Sequence, residues 1–100
     1  MSKIIVIAGF KPKPGHEEAV LSILRGMVVS TRAEVGNEVY NLYRDKEGTG
    51  ITLFEVYTNQ DHLELHRAAD YFKAYRASIF DHLEEPIAVK SLVGVDVVGG

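Results

Sequence analysis

A chain of 100 residues with a hydrophobic content of 46 % has room for one domain, 1–100, and too much apolar material to stay disordered. Its net charge of −3, with acids and bases interleaved, offers nothing like the basic stripe that nucleic-acid binding needs. Without cysteine there is no disulfide and no thiolate ligand for a metal, so stability rests on packing and on association with a second copy.

The start, Met1-Ser2-Lys3, runs into Ile4-Ile5-Val6-Ile7, an apolar run cut by Gly9 and Lys11. That is too short for a membrane span or a secretory leader, so a cytoplasmic protein without membrane attachment is expected. Ile4 to Phe10 is rich in β-branched residues and ends in Lys11-Pro12-Lys13-Pro14-Gly15, which predicts a strand covered on both faces. From His16 to about Glu34 the spacing becomes helical, with Val20, Ile23, Leu24, Met27 and Thr31 on one face. Glu17 and Glu18 suit the first turn, where the helix dipole favours negative charge, and Gly36 reads as the stop.

Glu38 to Arg44 predicts a second strand, residues 45–50 a hairpin loop, and Ile51 to Tyr57 a third strand. Asn59 or Asp61 caps a second helix that breaks near Ala69-Asp70 and resumes with Tyr71, Phe72, Tyr75, Ile79, Phe80 and Leu83 as its apolar positions. Pro86 ends it, Ile87 to Val93 is a fourth strand, and Val95 to Val98 an apolar tail. The order β-α-β-β-α-β predicts the α+β, ferredoxin-like arrangement: an antiparallel sheet with both helices on one face. Its other face would expose Ile, Val and Leu to water, and a homodimer, with two sheets face to face, is the simplest cover.

Several residues suggest chemistry. Glu55 shares a strand face with Ile51, Leu53 and Tyr57, where a carboxylate is costly unless paired or protonated. It reads either as a salt bridge to Arg32 or Arg44, or as a pocket acid or base. His62 and His66 lie four apart on one helix face; with no third ligand in view no metal site is expected, and one exposed and one half-buried histidine is the ordinary outcome. Tyr40, Tyr57, Phe72 and Tyr75 form either plain core or the wall of an aromatic pocket. Asn41 points away from Tyr40, toward a dimer face or a pocket. Arg32 and Glu34 pair with neighbours or cap carbonyls at the end of the first helix, and His16 is a solvated residue at its start.

The strings Lys-Pro-Lys-Pro-Gly-His-Glu-Glu (11–18), Thr31-Arg32-Ala33-Glu34-Val35-Gly36 and Tyr40-Asn41-Leu42-Tyr43-Arg44-Asp45 are similar to those of the antibiotic biosynthesis monooxygenase family. So are Leu53-Phe54-Glu55-Val56-Tyr57, Asp61-His62-Leu63-Glu64-Leu65-His66 and Tyr71-Phe72. Val35 replaces the family's usual proline, and Tyr71 a histidine often found before the phenylalanine, which removes one candidate acid or base. The resemblance implies a dimeric α+β barrel and a small-molecule substrate. It is compatible with cofactor-independent oxygenation of an aromatic or quinol, with His66 or Glu55 as the base and Tyr40, Tyr57, Asn41, Phe72 and Tyr75 around the substrate.

Haem-degrading members rely on a pocket tryptophan, and this chain has none. An isomerase moving protons beside a carbonyl, or a ligand-binding dimer without catalysis, remain alternatives on the same residues.

Overall fold

Buried side chains recur at every second position of Ile4–Phe10 (β1) and Ile51–Tyr57 (β3) in the computed structural model, which describes residues 2–99. That period puts one face of each strand on the core and the other outward. Between them in sequence come the helix Glu17–Arg32 (α1) and the strand Asn37–Arg44 (β2). After β3 follow two helices, Gln60–Ala68 (α2) and Asp70–Ile79 (α3), a 3-10 turn over Phe80–His82, and the strand Ala88–Leu92 (β4). The sheet order is β2-β3-β1-β4 with every pair antiparallel, and the helices cover one face. This is the expected ferredoxin-like fold. The second helical segment is divided in two.

α1 packs by its stripe of Val20, Leu21, Leu24, Met27 and Thr31, all buried. Leu21 takes the place expected of Ile23, which is only half-buried. Glu17 and Glu18 occupy the first turn, as expected, and Arg32 the last, each sign matching the nearby end of the dipole. The helix stops at Ala33, whose N–H bonds the Ser30 carbonyl at 3.3 Å, and not by a left-handed glycine. Gly36 instead permits a close approach between segments, since a Cβ there would collide with the ring of His62.

Asn59 caps α2, its side-chain oxygen accepting from the His62 N–H at 3.0 Å. Ala69, extended at φ −66° and ψ 143°, separates α2 from α3. In α3, Tyr75 and Ile79 are buried, as is Leu83 beyond it, but Phe80 is 68 % exposed because the tightened turn swings it outward. β4 is shorter than expected and exposed throughout, since it is an edge strand that no helix covers.

The outer face of the sheet carries Ile5, Ile7, Phe54 and Val56, half-buried. β1 is therefore not covered on both sides within one chain; its alternation was invisible in sequence because both faces are apolar. The tail over residues 94–99 stands beside this face and leaves a groove of about 570 Å³ between Val95, Val97 and Val98 and the sheet's Ile5, Phe54 and Val56. Among the described residues, no helix is long and apolar enough to cross a membrane.

Candidate active site

The core under the helices is divided into two clusters. One is built on Phe10, Val20, Leu24, Ile51, Leu53 and Ile79; the other on Ile4, Val6, Tyr57 and Leu63. Three polar side chains lie buried with them, Thr31 and two that can ionise, Glu55 at 5 % exposure and His66 at 2 %.

The strand period delivers Glu55. In β3 it falls on the inner face with Leu53 and Tyr57, and its register partners are Val6 on one side and Tyr40 on the other. The salt bridge to Arg32 or Arg44 is not formed: Arg32 Nε donates to the Tyr40 carbonyl at 3.0 Å, and Arg44 faces Glu18 at 3.7 Å. Instead the Tyr57 hydroxyl donates to Glu55 Oε1 at 2.7 Å. Burial raises the Glu55 carboxyl to about 7, against the opposing pull of that hydrogen bond and of Arg67 and Arg76. Burial, followed by the field of Glu55, also pushes the Tyr40 and Tyr57 phenols upward, so both stay protonated.

The helix period delivers His66. It sits one turn past His62, but the two part company: His66 is buried while His62 lies half-buried against Gly36. His66 Nδ1 is 2.9 Å from Glu34 Oε2, and the Tyr71 hydroxyl donates to the same oxygen. A carboxylate accepts, so Nδ1 carries the imidazole proton and leaves Nε2 as the acceptor. Burial lowers the His66 pKa, only partly offset by Glu34, so the neutral ring is favoured. Around that ring stand Tyr40, Tyr57, Tyr71 and Phe72, with centroids 5.0–6.1 Å away.

Glu55, His66, Tyr40, Phe72 and Tyr75 line one cavity, joined at its rim by Arg67, Arg76 and Val89. Its free volume is about 10 Å³, room for about one water. Asn41 is absent from it. Its side chain projects from the other face of β2, accepting from Arg32 at 3.2 Å and donating to the Tyr43 hydroxyl at 3.3 Å. The larger outer groove has little acid–base chemistry to offer, because its Lys3 and Glu38 pair with each other at 2.9 Å. Among the described residues no three His, Asp or Glu side chains converge as metal ligands.

Two members of the cluster escaped the sequence reading. Glu34 belongs to the connection after α1, where no periodicity assigns a direction, and its contact with His66 spans 32 residues. Tyr71 was expected as an apolar position of the second helix, and its hydroxyl reaches the Glu34 carboxylate. Glu34 lay inside a family motif, the one signal that pointed to it. His16, expected in solvent, is half-buried with Nδ1 2.9 Å from His82 Nδ1.

Comparison with known proteins adds to this geometry. The family described as "Antibiotic biosynthesis monooxygenase" matches residues 3–78. The "Putative monooxygenase Rv0793" of Mycobacterium tuberculosis is 37 % identical over 95 residues, covering 95 % of this chain and 94 % of that protein. The solved structure of Rv0793 superposes with a TM-score of 0.94 at 36 % identity, covering 98 % of this chain and all of that one. The crystal structure of PA3566 from Pseudomonas aeruginosa gives a TM-score of 0.88 at 25 % identity, with 96 % and 97 % covered.

Proposed function

The chain belongs to the antibiotic biosynthesis monooxygenase family, and on that premise we propose that it is a cofactor-independent monooxygenase of a small aromatic, quinol-type substrate. The observation that carries this is the burial of Glu55 and a neutral His66 in the wall of one aromatic-lined cavity. His66 Nε2 takes a phenolic proton, and Glu34, on the far nitrogen, holds the ring in the tautomer that can do so. Glu55, titrating near neutrality, is the second group able to accept or return a proton. Tyr40 offers its hydroxyl toward the substrate oxygen, Tyr57 acts through the hydrogen bond it donates to Glu55, and Phe72 and Tyr75 flank the ring.

The substrate supplies the electrons. Its phenolate adds dioxygen at a ring carbon that bears hydrogen, and a proton returned by the site gives a hydroperoxide there. Loss of water from that carbon leaves a carbonyl. One oxygen atom ends in the product and the other in water. A small cavity suits this sequence, since little water can reach the reactive anion.

Oxygen uptake with hydroquinones tests it. His66→Ala is expected to lose about 10²–10⁴-fold in turnover and Glu55→Gln a comparable factor; unchanged turnover in both would remove the mechanism. The same pair favours a second reading, proton exchange beside a carbonyl, and turnover that persists under strict anaerobiosis would select it.

The working form in this proposal is a homodimer in the cytoplasm, with outer sheet faces apposed. Support comes from the apolar outer residues Ile5, Ile7, Phe54 and Val56 and from the exposed valines of the tail. Sedimentation at micromolar concentration should give twice the protomer mass.

A further inference from the structure

Arg67 and Arg76 sit at the rim of the Glu55–His66 cavity, one from the last turn of α2 and one from the last turn of α3. The ion pairs among the described residues are Lys3–Glu38, Lys11–Glu84, Arg44–Glu18 and His66–Glu34, and neither rim arginine takes part. Arg67 is nevertheless half-buried. Arg76 rests its guanidinium carbon 4.9 Å above the Phe72 ring and 5.7 Å from that of Tyr75, whose hydroxyl it also reaches, a seat that offers a neutral oxygen and no carboxylate. Glu55 lies deeper, with an oxygen already engaged by Tyr57. In a chain of net charge −3, the entrance to this cavity thus carries two guanidinium groups that no carboxylate neutralises by direct pairing among the described residues.

From this juxtaposition we propose that Arg67 and Arg76 select the substrate: the cavity takes a hydroxylated aromatic that carries a carboxylate. The inference rests on the proton-transfer reading of the cavity and narrows its substrate class. A guanidinium offers a planar fork of N–H donors that matches a carboxylate two bonds at a time. The carboxylate stays at the rim, while the hydroxyl points inward to His66 and Glu55. Arg76 also closes the entrance. The cavity holds about 10 Å³ while Arg76 covers Phe72 and Tyr75, so an entering ring must replace the guanidinium over those side chains. A carboxylate that draws the exposed Arg76 aside makes that space for the ring attached to it.

Two probes isolate the charge: 2,5-dihydroxybenzoate and hydroquinone, which differ by one carboxylate. Their binding to the full chain is measured calorimetrically without oxygen, so that affinity is read independently of turnover. The wild type is expected to bind the carboxylated probe at least about tenfold more tightly, the scale of one or two hydrogen bonds to a charged group. In Arg67→Gln/Arg76→Gln that preference should shrink to within about twofold, read as the ratio of the two affinities so that any change common to both probes cancels, and Arg76→Lys should keep only part of it. Equal affinities in the wild type, a preference that survives in the double variant, or no binding of either probe at millimolar concentration would each overturn the proposal. Circular dichroism and thermal melts confirm that the variants are folded. A preference without oxygen uptake upholds the substrate class and refutes the monooxygenase reading. Oxygen uptake with no preference does the reverse.

Discussion

The two ends of the helix–sheet interface are built to different rules. Where α1 lies on the sheet, Val20, Leu24, Phe10, Ile51 and Leu53 fill the space with hydrocarbon, and no ionisable side chain of α1 is buried among them. Where α2 and α3 lie on it, Glu55, Tyr57 and His66 occupy comparable depths, Tyr57 hydrogen-bonded to Glu55, and His66, with the half-buried Tyr71, to Glu34. Among the described residues no fully buried side-chain nitrogen or oxygen lacks a partner, so the polar end orphans no such atom although it is not apolar. The first end gains stability from shape and the hydrophobic effect. The second gives up some of that gain to hold ionisable groups away from water, which is the condition for shifting their proton affinities.

Substitutions can break or sharpen this contrast. The largest stability effect belongs to the apolar end: Leu24→Ala, at a fully buried position, should cost about 2–5 kcal/mol in urea unfolding. Turnover per folded molecule should be nearly unchanged; a matching loss of turnover would mean that the two ends are one unit.

The polar end should reveal itself through pH. The folded chain keeps a proton on Glu55 up to about 7, whereas the unfolded carboxyl releases it near 4.5. The stability contributed by that proton is complete below 4.5 and is lost as pH rises through 7, a swing of about 3 kcal/mol. His66 works in the opposite sense, since its pKa is lowered by burial: its contribution is present above 6.5 and lost as pH falls below it. The test is therefore the difference between wild type and Glu55→Gln, which keeps an acceptor for Tyr57 but does not titrate. That difference should move in favour of the variant between pH 4 and pH 8, and a flat difference would show that Glu55 is not shielded from water.

Gly36→Ala comes next. It forces a methyl onto the His62 ring and should cost about 1–3 kcal/mol, as overpacking does. Restoration of most of that loss by His62→Ala in the same chain would confirm the contact. The smallest effect is expected from Tyr71→Phe, which removes one of two donors to Glu34 and should lower stability by about 0.5–1.5 kcal/mol. Turnover should fall only a few-fold, because the histidine keeps its partner.

The apolar end was largely legible in the sequence, and the polar end only in half. β1 and β3 were placed to the residue, since strands bounded by turn chemistry and filled with β-branched residues announce their limits. Glu55 and His66 stood out as polar residues on apolar faces. Glu34 did not, because it lies in a connection where side-chain direction follows from the path of the chain. Asn41 was placed near the site on polarity, but the strand period turns it to the opposite face, as its geometry relative to Tyr40 implied. Leu21 for Ile23, and the exposed Phe80, show the limit of helical periodicity: the stripe is readable, its edges depend on what packs against them.

The lone extended residue Ala69 has a consequence for how the segment 60–79 tolerates change in length. An uninterrupted helix advances about 100° per residue, so Phe72 would face some 240° around the axis from His66. The break resets that phase, and rings from both sides of the joint meet in one place. Deleting residue 69 so that the two helices fuse is thus an angular error, not a spacing error: Phe72 would follow His66 by five helical residues and face about 140° around the axis from it. A point substitution that keeps residue 69 extended leaves the rotation intact, so the backbone conformation there matters more than the side chain.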